Sequence, residues 1–284
     1  PGDSIVVPVV VQPNLGMNAV QDFTVCPGTI INPVDYITSP IGATLTWTNT
    51  NAAIGIPVSG SGQIPTWSAG SNTGTTNMSA TITTTAVLNA ACPGITDQFT
   101  VTINPVGTVD LSTEDTLICS GETVDVSYTS NLVNMSIVWN HFSPVTITGA
   151  SNGSANSGTV TDVLVNTGNT IDTVIYYFVP TGIACLSDTL FLTVAVQPQI
   201  TMNQLADFTV CAGTSINPTD YVTSPAGGVI SWTNSNVNIG LAASGTGQIP
   251  TWTAGANNTG SVLSGTITAT AQLNGCTGVQ DDFV

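Results

Sequence analysis

Hydrophobic and polar residues alternate along much of the chain. Leu45 and Trp47 fall on one side of a period-two pattern and Thr44, Thr46 and Thr48 on the other. Ala80, Ile82, Thr84, Ala86 and Leu88 make a longer row, and Phe99, Val101 and Ile103 another. Such alternation predicts strands with one face buried. Between Ile171 and Tyr176 both faces carry apolar residues, so that strand is expected to be partly covered on two sides. Gly, Pro, Asn and Ser punctuate these runs about every ten residues. No window holds a 3.6-residue period, and the strong helix formers Lys, Arg and Glu are absent or rare. The prediction is an all-β chain of short strands packed as β-sandwiches.

The same words recur along the sequence. DFTVC stands at 22–26 and 207–211, INP at 31–33 and 216–218, WTN at 47–49 and 232–234, and GQIPTW at 62–67 and 247–252. The constant offset marks a duplicated unit. Cysteines and prolines halve it. Pro13, Pro105 and Pro198 each close a strand-like run, VVVQP, VTINP or VAVQP, so the unit is about 92 residues and the order is A, B, A′. The expected domains are repeat A at 14–106, repeat B at 107–198 and repeat A′ at 199–284. Residues 1–13 read as the last strand of a preceding repeat. Phe283 aligns with Phe99, so A′ is expected to lack its last strand. An array cut out of register gives this pattern, as does a subunit lending its first strand to a neighbour; the cut array is the favoured reading.

Composition narrows the function. The chain has no Lys and no Arg against 16 acids and one His. No cationic face is available for nucleic acid or an anionic membrane leaflet. Schiff-base lysines, phosphate-binding lysines and carboxylate-clamping arginines are excluded. With 42% hydrophobic and 6% charged residues the chain is not of the disordered class. The longest apolar run, Ile5 to Val11, is too short for a membrane-spanning helix. Trypsin-like proteases find no site, which suits a surface exposed to hostile fluid.

Six cysteines, Cys26, Cys92, Cys119, Cys185, Cys211 and Cys276, form three evenly spaced pairs in sequence order. We expect one disulfide within each repeat, closing a loop of about 66 residues, and an oxidising compartment. Such a ring stabilises its domain by roughly 4 kcal/mol on the chain-entropy view. A zinc site is disfavoured, because the pairs are not CxxC and His141 is the single histidine. Trp47, Trp139 and Trp232 follow the first cysteine of each repeat by 20 or 21 residues. They are expected as core anchors on a central strand, in a spacing that resembles immunoglobulin domains. Cys26 and Cys92 are each followed by Pro-Gly, unlike mid-strand immunoglobulin cysteines, so the bridge is expected to clamp one end of the sandwich.

The pattern of Val25–Gly28, Trp47–Asn49, Ser59–Trp67, Ala80–Ala86, Cys92–Gly94 and Phe99–Pro105, with its A′ copies, resembles the PKD-like, immunoglobulin-like repeats of giant Bacteroidota surface proteins. Repeat B resembles a sister variety through Cys119–Thr123, Trp139, Tyr176–Pro180 and Cys185. The fold class this implies is tandem immunoglobulin-like (PKD-like) β-sandwiches. The implied role is a stalk or filament body of a secreted adhesin, of the gliding-motility or attachment type, exported by type IX secretion to the bacterial cell surface. Implied partners are neighbouring repeats, other copies in a filament, and the outer membrane through regions outside this sequence. Loss of basic residues goes beyond what the resemblance explains.

Candidate chemistry is sparse. No catalytic residues are expected: His141 has no accompanying nucleophile elbow, and the neighbouring carboxylates Glu114–Asp115 and Asp281–Asp282 point to opposite faces of a strand. Asp22, Asp35, Asp207 and Asp220 recur in equivalent places, which suits turns or caps. No cofactor is expected; calcium at a junction is the weaker candidate, without a DxDxDG loop. Ser4, Thr116, Thr173 and Thr189 sit in Asp-Ser/Thr-apolar triplets resembling the O-glycosylation motif of the same phylum. Asn-X-Ser/Thr triplets at Asn77, Asn134, Asn152 and Asn257 carry no weight. Trp67 and Trp252 are either sugar-stacking platforms or plugs of the sandwich end, the second being favoured. Two rivals to the stalk are a carbohydrate-binding array using Trp67 and Trp252, and an ice-binding array of Thr-rich strands.

Overall fold

The structure is a computed structural model that describes residue 2 and residues 5–89, 94–114 and 116–284. Among them, strands and loops account for all but two single 3₁₀ turns, Ala52–Ile54 and Val237–Ile239. Repeat A is built on β1 (Phe23–Val25), β2 (Thr44–Asn49), β3 (Ser59–Ser61), β4 (Met78–Val87) and β5 (Ile95–Ile103), hydrogen-bonded in the order β1-β5-β4-β2-β3. Two-stranded ladders face them: Gly16–Met17 with Thr38–Ser39, and Ile30–Ile31 with Trp67–Ser68. In repeat B, β6 (Thr116–Cys119), β7 (Ser136–Phe142), β8 (Gly153–Ala155), β9 (Asp172–Thr181) and β10 (Leu190–Gln197) take the order β6-β10-β9-β7-β8. In repeat A′, β11 (Val229–Asn234), β12 (Ser244–Thr246), β13 (Ile267–Leu273) and β14 (Cys276–Phe283) take the order β12-β11-β13-β14. This is the sandwich arrangement of immunoglobulin-like domains.

The edge strands β1 and β6 run parallel to the last strand of their own repeat, while the other pairs of these large sheets whose register is known are antiparallel. No helix is long and apolar enough to cross a membrane among the described residues.

Alternation translates into burial as expected. Leu45 and Trp47 are buried and Thr44, Thr46 and Thr48 exposed. Ala80, Ile82, Thr84 and Ala86 are buried on β4 and Phe99, Val101 and Ile103 on β5. In β9 only one face is core: Val174 and Tyr176 are fully buried, but Ile175 is open to solvent. The other face is partly covered, as the pattern predicts: Thr173, Tyr177 and Val179 are half-buried, and Tyr177 stacks on Phe142 with ring centroids 4.9 Å apart.

By compactness the chain divides into two units. One holds residues 1–110 with 130–136 and 180–188; the other holds 111–129, 137–179 and 189–284. Repeat B thus lends two loop tips to the first unit and its sandwich body to the second. The first core gathers Ile31, Trp47, Ile54, Ile82, Phe99 and Ile103; a core in the second gathers Ile200, Trp232, Ile267 and Phe283.

The three anchor tryptophans share one device. Trp47 lies opposite Gly60, Trp139 opposite Gly153 and Trp232 opposite Gly245 in neighbouring strands. A Cβ on these glycines would fall 2.2, 2.8 and 2.3 Å from the respective indole. The ring lies flat on the glycine, and only a residue without a side chain leaves room for it.

Candidate functional site

The chemistry-bearing residues converge at the ends of the repeats. Cys26 is bonded to Cys185 and Cys119 to Cys276, each pair with Cα atoms 5.5 Å apart. Cys211 is exposed and bonded to no other cysteine. This corrects the expectation of one bridge inside each repeat. The first cysteine of a repeat is joined to the second cysteine of the next, 159 and 157 residues along. Cys92 lies outside the described residues.

The parallel edge strand explains the pairing. Cys119 pairs with Gln197, at the far end of β10, while Cys185 precedes the near end at Leu190. An eight-residue strand spans about 26 Å, whereas a disulfide needs Cα atoms within about 7 Å. Cys119 and Cys185 therefore stand at opposite ends of their sandwich. In A′ the same holds: Cys276 begins β14, and the segment leading to Cys211 meets the other end, where Phe208 N–H donates to Val284 C=O at 3.0 Å. So the bridge does sit at the end of a sandwich, but it clamps two successive repeats.

Each cysteine of the first kind is followed two residues later by a glycine with positive φ, Gly28 at 76°, Gly121 at 88° and Gly213 at 83°. The turn it makes returns an N–H to the cysteine carbonyl, from Thr29, Glu122 and Thr214. That left-handed backbone favours glycine and holds the sulfur on the sandwich rim.

The linkers are pinned beside these bridges. In the first unit Gly107 N–H donates to Cys185 C=O and Ser187 N–H to Gly107 C=O, both at 2.9 Å. Asn131 closes the same bend, its Oδ1 accepting from Thr108 N–H at 2.8 Å and its Nδ2 donating to Val106 C=O at 2.9 Å. In the second unit Asn274 Nδ2 donates to Gln197 Oε1 at 3.1 Å, and Gly278 lies so close to Ile200 that a Cβ would be 2.3 Å from the Ile200 carbonyl oxygen. Within each unit the linker is thus tied beside a disulfide by hydrogen bonds.

Three carboxylates tie the sandwiches together, Asp162 and Asp281 buried and Asp97 half-buried. Asp97 accepts from Val20 N–H at 3.0 Å and Tyr36 O–H at 2.8 Å; Asp281 accepts from Leu205 N–H at 3.0 Å and Tyr221 O–H at 2.8 Å. Asp162 takes the Tyr176 O–H at 2.7 Å together with the N–H and O–H of Ser151. Burial first, and then the neighbouring carboxylate, push the Tyr36 phenol up to about 12 and those of Tyr176 and Tyr221 higher still. Asp22 and Asp207 each accept a backbone N–H of the last segment, from Thr100 and Val284.

The remaining sequence candidates do not assemble into a site. Trp67 and Trp252 are buried, and Trp67 Nε1 donates to Ile54 C=O at 3.1 Å. A buried ring offers no face for a sugar to stack on, so they act as plugs. His141 Nδ1 lies 2.9 Å from the Ser143 hydroxyl, and its ring centroid is 6.1 Å from that of Tyr176. Among the described residues no three His, Cys, Asp or Glu side chains come together. Thr116, Thr173 and Thr189 are half-buried, the first two within strands; Ser4 lies outside the described residues. What sequence reasoning missed is the Trp–Gly pair and the cross-repeat bond. The first was readable in the recurring Ser-Gly of 59–60 and 244–245.

Comparison with known proteins agrees with this architecture at the level of one domain. Residues 116–200 match the family described as PKD-like domain. No curated protein matches. Among solved structures, the I-band fragment I67–I69 of titin aligns over 96% of this chain and 99% of its own, at 7% identity and a TM-score of 0.44. The N-terminal eight immunoglobulin domains of Down Syndrome Cell Adhesion Molecule align over 95% and 41%, at 13% identity and a TM-score of 0.38. Sidekick-1 immunoglobulin domains 1–4 align over 95% and 76%, at 10% identity and 0.28. The strand order, together with the match over 116–200, makes this an all-β chain of tandem immunoglobulin-like sandwiches, one of them a PKD-like domain.

Proposed function

We propose that the chain is a load-bearing stretch, a stalk or filament body, of a very large secreted surface adhesin of Bacteroidota, serving gliding motility or attachment and exported by type IX secretion. Its three repeats, bounded near residues 106 and 198, act as mechanical beads. The observation that carries this reading is the stagger of Cys26–Cys185 and Cys119–Cys276, each joining one repeat to the next. A bond of this kind adds little to binding or catalysis. It keeps neighbouring beads together when the chain is pulled, and it requires an oxidising compartment. Absence of Lys and Arg removes trypsin sites from the exposed loops, and the acids repel neighbouring filaments within a Debye length of about 8 Å. Immunogold labelling of intact cells, with images of the released protein, tests the proposal. Beaded strands on the outer surface are expected; a compact intracellular particle would overturn it.

A further inference from the structure

In the third repeat the edge pairing seen in the first two stops short. In repeat A, Phe23, Thr24 and Val25 of β1 lie opposite Val101, Thr102 and Ile103 of β5, and Val101 and Ile103 are fully buried. In repeat B, β6 and β10 pair likewise, burying Val194 and Val196. Residues 207–211 repeat the DFTVC of 22–26 but form no strand. Their ladder stops at its first rung. Asp207 accepts from Val284 N–H at 2.8 Å, as Asp22 accepts from Thr100 N–H at 2.6 Å. Beyond it lies an open groove of about 470 Å³, lined by Phe208, Val210, Ile216, Trp252, Ile267 and Phe283. Phe208 and Val210 are 37% and 41% exposed.

Two further groups point the same way. Asn72 and Asn166 each donate an amide hydrogen to the last strand, at Ile103 C=O and Val196 C=O, both 2.8 Å. Their counterpart Asn257 lines the groove, and its amide donates to Ser261 C=O at 2.7 Å, with no last-strand carbonyl beside it. Cys211 follows Val210 at the mouth of the groove. Its turn matches that of Cys26: Thr214 N–H donates to Cys211 C=O at 3.1 Å and Gly213 N–H to Ala254 C=O at 3.0 Å, as Thr29 does to Cys26 at 3.2 Å and Gly28 to Ala69 at 2.9 Å. Both other cysteines at this position in the repeat are bonded to a following repeat.

We propose that this groove and Cys211 together receive a further immunoglobulin-like repeat of the B type, entering in line with β14. Its leading strand sets two alternate apolar residues where repeat A has Val101 and Ile103. Its counterpart of Cys185 then closes a disulfide with Cys211. The two thiols lose two electrons and two protons to a disulfide oxidant such as oxidised glutathione, which leaves as two thiols. A second copy of the chain offers Val9 and Val11 with the right alternation, but aligning Gln12-Pro13 with Asn104-Pro105 sets its Val7 where Phe283 already lies. A strand prolonging β14 meets no such conflict. The junction stands or falls independently of the surface role proposed above.

The test extends the full chain after Val284 by a copy of residues 101–198, marked by Asp188→Glu in the added copy so that its cysteine peptide differs in mass. The protein is oxidised with glutathione, alkylated and digested with pepsin. The expected result is loss of the free Cys211 thiol and recovery of its peptide bonded to the marked one. Cys211 still alkylated, or bonded to Cys276, would overturn the proposal. A shorter extension by residues 101–105 alone guards against misfolding of the long one. Amide exchange over 208–211 should slow; unchanged exchange counts against the groove as a strand site. Head-to-tail multimers of the unextended chain that vanish when residues 1–13 are deleted would overturn the in-line assignment in favour of a second copy.

Discussion

Because the chain has no Lys or Arg, one added Arg creates a single trypsin site. Thr209→Arg places it in the exposed, unpaired segment before Cys211, where both the new Arg and the following Val210 are accessible. Cleavage divides the 28.9 kDa chain into pieces of about 21 and about 8 kDa. The bond Cys119–Cys276 spans the cut, so on a non-reducing gel the nicked protein runs as one covalent species. Adding reductant releases both pieces. Bridges confined within repeats would leave nothing across residue 209, and the pieces would part without reductant. That result would refute the cross-repeat pairing outright. The same bond closes a ring of 157 residues, worth about 5 kcal/mol on the chain-entropy view. Cutting inside the ring discards that contribution, so the nicked, oxidised protein should melt clearly below the uncut one.

Three more outcomes follow from the packing. Gly245→Ala drives a methyl into the Trp232 ring, 2.3 Å from its nearest atom, and should cost about 1–3 kcal/mol as overpacking; an unchanged thermal melt would contradict the flat seat described for the indole. Gly278→Ala meets the Ile200 backbone at 2.3 Å and should destabilise by a similar ~1–3 kcal/mol, with faster amide exchange at Val279, whose N–H donates to Ile200 C=O. The Tyr36 phenol ionises near 10 when unfolded and at about 12 when folded, and Tyr176 and Tyr221 shift the same way. The stability these raised values carry is complete below pH 10; that of Tyr36 is lost as pH rises toward 12, and those of Tyr176 and Tyr221 fall away over a range reaching higher still; absorbance at 295 nm should show these three phenols resisting ionisation at pH 11 in the native protein and titrating together near 10 in urea.

Strand identity and the buried face were legible in the sequence wherever one side of a sheet meets the core. The Leu45–Trp47 and Phe99–Ile103 rows are examples, since a period of two is all that such a face requires. The β9 pattern was legible too: Val174 and Tyr176 face the core while Thr173 and Tyr177 on the other side are half-buried, a surface that β-branched and aromatic residues suit. Disulfide pairing was hidden for a different reason. With a repeat of about 92 residues, any regular partner choice gives regular spacing, and 66 within a repeat looks as orderly as 159 to the next. Only the parallel edge strand decides between them, by carrying Cys119 to the end of β10 opposite Cys185. Parallel pairing between residues more than 75 apart leaves no local signal. Burial of Trp67 and Trp252 likewise depends on partners such as Ile54 and Phe208.

Overlapping rings also set how far the molecule can be drawn out. Tension applied at Pro1 and Val284 crosses from Cys26 to Cys185, returns along the backbone to Cys119, and crosses again to Cys276. Only about 100 residues lie on that route, so even a fully unravelled segment extends by roughly 350 Å, against roughly 990 Å for the bare polypeptide at ~3.5 Å per residue. On the load-bearing reading proposed above, the sulfur bonds would serve as a safety leash: a bead giving way under a sudden tug would surrender little slack.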